Sequence, residues 1–304
     1  MAPARPAKLV YLALTCSAFF WGSGFAVARW ALRSVSPWEF LAATNLFSAL
    51  AQIAWTGARG NLQDLRLPGR FVWPVALLGL FGWNVMTGLT YLGLRFTTAT
   101  NAALLYGFSP VMIALLAALF LKEPFGMRMA CGAAAGFAGV ALIITQAHVE
   151  KLSFRGVMLG NLVVFVATVY WAAYSVGTRA LTQRLPAHVY SFYVVTLSVF
   201  LPLGWVWIRE GQFPLLRFDP SALLAGAFMG VGTGMLAINL WNWGLARIEA
   251  SRVGVFSYLE PVFASAIAMG FLGERLIWPT MFGAGLVFLA IYLSTTRRAQ
   301  NPSC

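Results

Sequence analysis

Residues 91–123, YLGLRFTTATNAALLYGFSPVMIALLAALFLKE, return 151 positions later as residues 242–274, NWGLARIEASRVGVFSYLEPVFASAIAMGFLGE. Gly93-Leu94 comes back as Gly244-Leu245, Pro110 as Pro261, Leu121-x-Glu123 as Leu272-x-Glu274, and Gly132 as Gly283. In a register one residue shorter, Trp21 and Arg29 of the first apolar run fall on Trp171 and Arg179. A long repeat inside an apolar chain is the mark of a duplicated membrane bundle. Two such bundles can rock about a site at their interface, so transport is the first expectation.

The rest of the chain fits that reading. Of its 304 residues, 60% are hydrophobic and only 10% charged, more apolar surface than one soluble core can hide. A span needs about 20 mostly apolar residues to cross about 30 Å of hydrocarbon. Such runs lie near 8–30, 37–56, 72–93, 98–121, 127–146, 157–180, 187–208, 221–245, 250–272 and 277–296. The expected fold is an all-α integral membrane protein of ten helices, five in a first repeat over 1–150 and five in a second over 151–304.

A formal charge of +12 would suggest nucleic acid in a soluble protein. Here Lys and Arg sit in short loops and at helix ends, which excludes that partner and points to the lipid bilayer instead. Most of them, Arg59, Arg66, Arg70, Lys122, Arg128, Arg179, Arg184, Arg247 and Arg252 included, fall on the side shared by the two termini. The positive-inside rule then puts both termini in the cytoplasm. Five helices per repeat is an odd number, so the two repeats insert upside down relative to each other.

Several alternative readings fail on their own terms. Arg5, Lys8 and Ala26-x-Ala28 imitate a cleavable signal, but the apolar run from Leu9 is too long for a signal core. Its counterpart at 157–180 cannot be a signal at all. Cys16, Cys131 and Cys304 have no metal, redox or disulfide spacing. The glycines of GVGTG at 230–234 lack the strand, turn and Lys-Ser/Thr of a phosphate loop. With Gly226-Gly230-Gly234 and Gly132-Gly136 they read as small-residue packing faces. Pro37, Pro124, Pro186 and Pro279 stand near helix starts, where proline loses no hydrogen bond.

The repeat unit, YxGLx(4)AxxAxLLx(4)Px(3)ALLAxLxLxE followed by a glycine-punctuated helix, resembles the EamA-type half of the drug/metabolite transporter superfamily. The resemblance covers nearly the whole chain. The YWAAYS segment at 170–175 and the mid-span prolines look most like the aromatic amino-acid exporter group. What the resemblance implies is two inverted repeats around a central cavity and export from the cytoplasm across the bacterial inner membrane. One departure is visible: many EamA-type halves carry an arginine in the second helix, where this chain has Asn45.

The residues that could carry transport lie in mid-span. Pro110 removes a donor and frees the Tyr106 carbonyl, and Pro261 frees that of Ser257. In lipid a freed carbonyl needs a neighbour, a water or a ligand, so Pro110, Pro261, Ser109 and Ser257 mark either a hinge or cavity wall or a kink that membrane helices tolerate. Glu260 is the acidic residue nearest mid-span. It is either a proton-coupling group or ammonium partner, or a structural carboxyl beside the proline break. Trp21 and Trp171 form a symmetric pair which, with Trp83, Tyr106, Tyr170 and Tyr174, reads either as an aromatic wall for a flat or cationic substrate or as ordinary packing. Asn84, ranked above Asn239, can meet both charges of a zwitterion or bridge two helices. Trp241 and Trp243 stand near a span end and read as an interfacial belt. Glu123 and Glu274 read as structural carboxylates at the starts of the fifth and tenth helices. Arg29 and Arg179 are anchors or gates at span ends.

These residues suit a secondary exporter of small neutral or zwitterionic solutes, aromatic and other neutral amino acids first, with efflux of hydrophobic cations as the alternative. Phosphorylated sugars would need deep cationic side chains. An integral membrane enzyme would need a nucleophile and base or clustered metal ligands, but His148 and His188 lie on opposite faces. No Walker motif supports ATP-driven transport. No cofactor is expected, the partners are a small-molecule substrate and the bilayer, and a monomer suffices.

Overall fold

The computed structural model describes residues 7–31, 34–60, 64–93, 96–97, 103, 105–145, 158–211, 220–272 and 278–295. The Arg29 side chain, Glu274, His148 and Cys304 lie outside them. The regular elements within them are helices. In order they are α1 (Ala7–Ala31), α2 (Pro37–Ala58), α3 (Gly69–Leu77), a π-helical segment (Leu78–Gly82) and α4 (Trp83–Gly93). Next come α5 (Ser109–Leu121), α6 (Met127–Thr145), α7 (Met158–Thr182), α8 (Ala187–Leu197) and α9 (Phe200–Glu210). The last are α10 (Pro220–Phe228), a second π segment (Met229–Ala237), α11 (Ile238–Leu245), α12 (Ala250–Gly254), a 3₁₀ turn (Val255–Tyr258), α13 (Leu259–Leu272) and α14 (Trp278–Thr295).

Among the described residues, six helical stretches are long and apolar enough to span a bilayer: Gly69–Thr90, Met127–Thr145, Met158–Thr182, Ala187–Glu210, Pro220–Leu245 and Trp278–Thr295. The α2 helix falls outside that set for a physical reason. Thr44, Asn45, Ser48, Gln52 and Thr56 lower its hydropathy, and all five are buried. Its polar face is turned into the bundle, while Leu50 and Ile53 are exposed. Elsewhere Leu12, Trp73, Leu119, Phe120, Leu224 and Phe288 form an exposed apolar surface that belongs in lipid.

The helices of each half pack on those of the other in a reciprocal pattern. The α4 helix lies against α7, and α1 lies against α11 and the second π segment. Likewise α2 packs on the second π segment and α8 on the first. Between α6 and α14 the approach is backbone to backbone on both sides. A Cβ on Gly139 would sit 2.5 Å from the Gly283 carbonyl, and one on Gly283 would sit 2.6 Å from the Gly139 carbonyl. Only glycine allows that contact.

The breaks inside the helices also recur in both halves. The π segments at 78–82 and 229–237 begin 151 residues apart. A turn at Gly107–Phe108 precedes α5, and the 3₁₀ turn 255–258 precedes α13. Pro110 and Pro261 therefore occupy first turns of new helices after a break, rather than kinking one continuous span.

Candidate functional site in the bundle interior

Proline at one further position builds the centre of the site. Pro202 has no N–H to give, so the carbonyl of Ser198 loses its helical partner. The chain turns at Ser198–Val199 and α8 gives way to α9. The freed Ser198 carbonyl accepts two side-chain amides, Asn45 Nδ2 at 3.1 Å and Asn84 Nδ2 at 2.8 Å. Asn45 Nδ2 also donates to Asn84 Oδ1 at 2.8 Å, and Asn84 Nδ2 to the Leu80 carbonyl at 2.8 Å. A buried amide must find partners, and this knot of α2, α4 and the α8–α9 break supplies them. Leu80 is available because it lies in the first π segment, a type of irregularity that often marks functional sites.

Two small adjoining cavities open beside this knot. One is lined by Phe40, Leu41, Thr44, Asn45, Ser48, Trp83, Thr87, Met229, Thr233 and Gly234. The other is lined by Asn45, Ser48, Trp83, Tyr174, Val194, Val195, Ser198, Gly234 and Ile238. Asn45, Ser48, Trp83 and Gly234 belong to both, and among the described residues no charged side chain lines either. Gly234 sits in the GVGTG segment, which packs on α2 inside the bundle.

Trp83 ties the cavities to an aromatic cluster centred on Trp171. The Trp171 ring meets Trp21 at 5.5 Å, edge to face, Trp83 at 6.1 Å, Tyr174 at 5.4 Å, nearly parallel, and Trp241 at 5.8 Å. Trp21 and Trp241 are 5.1 Å apart, and the Trp21 indole N–H donates to the Thr233 carbonyl at 3.3 Å. Trp241 corrects the expectation of an interfacial belt. It is 1% exposed, inside the cluster, because depth along a helix does not say which face a ring is on. Trp243 keeps an end position, with the Arg247 guanidinium 3.9 Å over its ring.

The other sequence candidates are arranged around the cluster, outside the cavity linings. Tyr106 packs against the core and its hydroxyl lies 2.9 Å from Thr90 Oγ1. Ser109 and Pro110 are buried in the first turn of α5. Ser257 Oγ is buried near the Glu260 side chain. Glu260 and Pro261 are in the first turn of α13, which packs on α1 so closely that a Cβ at Gly22 would meet the Glu260 carbonyl at 2.6 Å. Asn239 donates to Gln52 Oε1 at 2.6 Å and to the Met235 carbonyl at 2.7 Å, bridging to α2. The substrate position expected from sequence lies between the first, third, fourth, sixth and ninth helices. Of these, the third, through Trp83 and Thr87 of α4, and the sixth, through Tyr174 of α7, line the cavities, and the other walls come mainly from α2, α8 and the second π segment.

In the sequence Pro202 carries no site assignment, and Asn45 stands out only as a departure from the family's arginine. The signal for both was present: a proline inside an apolar run implies a free carbonyl four residues earlier, and two asparagines in nearby spans are natural donors to it.

Two separate stretches of this chain, residues 8–145 and 158–296, match the model of the EamA-like transporter family. The chain belongs to that family. Similar EamA-like proteins include the "Uncharacterized transporter YyaM" of Bacillus subtilis (strain 168), 29% identical over 289 residues, covering 93% of this chain and 92% of the relative. A protein of Chlamydia muridarum (strain MoPn / Nigg) named "S-adenosylmethionine/S-adenosylhomocysteine transporter" is 26% identical over 285 residues, 91% of this chain and 88% of its own. A solved structure titled "Crystal structure of protein" superposes with a TM-score of 0.79 at 23% identity, covering 94% of this chain and 98% of the other. That likeness speaks for the fold.

At one end of this EamA-like bundle, four segments are tied through one carboxylate. Lys122 closes α5 in the left-handed conformation, φ 55°, and Glu123 follows it. Glu123 Oε1 accepts from the Ala250 N–H at 2.8 Å, and Oε2 from the Ser251 N–H at 3.0 Å and hydroxyl at 2.8 Å. The carboxylate does sit at a helix N-terminus, but at that of α12 in the other half rather than of α6. Arg179 Nε is 3.8 Å from Glu123 Oε1, and its Nη1 donates to the Leu245 carbonyl. The knot joins the end of α5, the end of α7, the end of α11 and the start of α12.

Proposed function

We propose that the protein is a secondary active or facilitative exporter of small amino acids, aromatic and other neutral ones first, acting across the bacterial inner membrane by alternating access. In this reading ten spans form two inverted five-helix repeats, 1–150 and 151–304, and both termini are cytoplasmic. The observation that carries it is the pairing of an uncharged, asparagine-lined chamber with a cluster of five aromatic rings sharing Trp83. Flat side chains stack on such rings. Uncharged amide and hydroxyl oxygens can accept from the ammonium of an amino acid. The reciprocal packing of the two halves and the matching helix breaks support the repeats. Broken helices at a repeat interface are where transporters hold substrate. The chamber's small size suits an occluded state, enlarged when one end opens. Trp171 and Trp83 are the proposed aromatic contacts, with Trp21, Tyr174 and Tyr106 supporting them and Asn84 orienting Asn45. Pro110, Pro261, Ser109 and Ser257 serve as the hinge, and Glu260 lies beside it.

The test is counterflow of labelled phenylalanine in proteoliposomes, competed by threonine, methionine, tryptophan, S-adenosylmethionine and a viologen. Saturable counterflow suppressed by the amino acids is the expected result. Movement of viologen without phenylalanine would replace the proposal with efflux of hydrophobic cations, and suppression by S-adenosylmethionine alone would move the substrate toward that of the chlamydial relatives.

A further inference from the structure

The hydrogen bonds around the chamber assign a direction to every amide and most hydroxyls. The Ser198 and Leu80 carbonyls can only accept, so the Nδ2 atoms of Asn45 and Asn84 must face them. Both protons of Asn45 Nδ2 are then committed, one to Ser198 and one to Asn84 Oδ1. Asn45 Oδ1 is left as an acceptor that no donor among the described residues reaches, on a residue that lines both cavities. The hydroxyls follow the same rule. Thr44 donates to the Leu41 carbonyl at 2.9 Å, Ser48 shares its one proton between the Thr44 and Gly230 carbonyls at 2.8 and 2.9 Å, and Thr233 donates to the Met229 carbonyl at 2.6 Å. Each has spent its proton on the backbone and offers a ligand only lone pairs.

On the donor side the lining has the Thr87 hydroxyl, buried without a partner among the described residues, the Trp83 indole N–H and the Tyr174 hydroxyl, which hydrogen-bonds with Thr178 and Tyr190. All are neutral, and among the described residues no Lys, Arg or His joins them. A carboxylate presents about four acceptor sites and favours charged, forked donors. An ammonium presents three protons and no acceptor, the complement of a wall of lone pairs beside an indole face. Resting on the reading that these cavities hold the transported solute, we infer that the chamber recognises its substrate through a protonated amine, with Asn45 Oδ1 as the principal acceptor. The substrate's carboxylate is not a requirement. The ligand class is an aromatic or bulky apolar primary amine, of which neutral amino acids are one subset.

The probes are phenethylamine, which keeps the amine and ring of phenylalanine, and 3-phenylpropionate, which keeps the carboxylate and ring. Both are measured on the purified full-length protein, by thermal-unfolding shift and by competition with phenylalanine counterflow. Phenethylamine is expected to act within about tenfold of the concentration of phenylalanine, and 3-phenylpropionate to need more than about tenfold higher, the difference that one charge-assisted hydrogen bond makes. Asn45→Leu should weaken phenethylamine binding about tenfold. If that variant does not fold, Ser48→Ala deletes one acceptor and should cost about threefold. Equal or better action by 3-phenylpropionate, or no shift with phenethylamine, overturns the inference even where phenylalanine counterflow is intact. Amine-selective unfolding shifts with no counterflow of any solute would uphold the inference and overturn the exporter reading instead.

Discussion

The second helix of the first half and its counterpart in the second half have diverged more than any other matched pair described. The α2 helix runs unbroken from Pro37 to Ala58, started by a capping box in which Ser36 and Glu39 exchange hydrogen bonds. Its counterpart is split into α8 and α9 around Ser198–Val199. By contrast, the helices carrying Pro110 and Pro261 break at matching positions. Symmetric breaks suit a motion shared by both halves. The asymmetric break does something different: it exposes one carbonyl that organises Asn45 and Asn84 on one side of the bundle only. In the proposed mechanism symmetry serves movement, and departure from symmetry builds the chamber.

The comparison can be broken or sharpened by substitution. The largest effect is expected from Trp171→Ala, which removes the ring touching Trp21, Trp83, Tyr174 and Trp241. Counterflow should be lost while the protein still reaches the membrane, and unchanged counterflow would remove the aromatic cluster from the mechanism. Pro202→Ala comes next. It restores an N–H to Ser198, straightens the α8–α9 break and takes an acceptor from two buried amides, so counterflow should fall about tenfold, the scale of one to two hydrogen bonds. If it transports normally, the asymmetric break is not what orders the chamber. Glu123→Gln should lower thermal stability by about 1–3 kcal/mol, because an ion pair with side chains 13% and 8% exposed loses its charge and the α12 cap weakens. It should also raise labelling, from that end of the bundle, of a cysteine placed at Leu245. The smallest effects belong to Pro110→Ala and Pro261→Ala, a few-fold each and equal within error if both act as one hinge. A large inequality between them would show that the two breaks are not equivalent.

How far the site could be read in advance differs residue by residue. Of the six rings expected to form one wall, Trp21, Trp171, Trp83 and Tyr174 come together, because repeat symmetry pairs the first two and span position gathers the rest, while Tyr106 and Tyr170 are outside those ring contacts. Pro110 and Pro261 were legible as a pair, although each sits in the first turn after a break and not within one kinked helix. Asn45 was legible only as a departure from a family pattern, and its meaning needs Asn84 and Ser198 beside it. Trp241 was misplaced because only packing shows that its ring faces Trp171.

Composition and the 151-residue repeat alone determine that the chain is a duplicated helical membrane protein, since periodic apolar runs of spanning length have no other stable home. They also determine where prolines interrupt backbone hydrogen bonding, because the missing N–H is a covalent fact. Tertiary structure alone decided which freed carbonyl is used, which end the Glu123 carboxylate caps, and which face of α2 is interior. Those outcomes depend on contacts between residues as far apart as Asn45 and Ser198, or Glu123 and Ala250, and such contacts arise only when the two halves pack together.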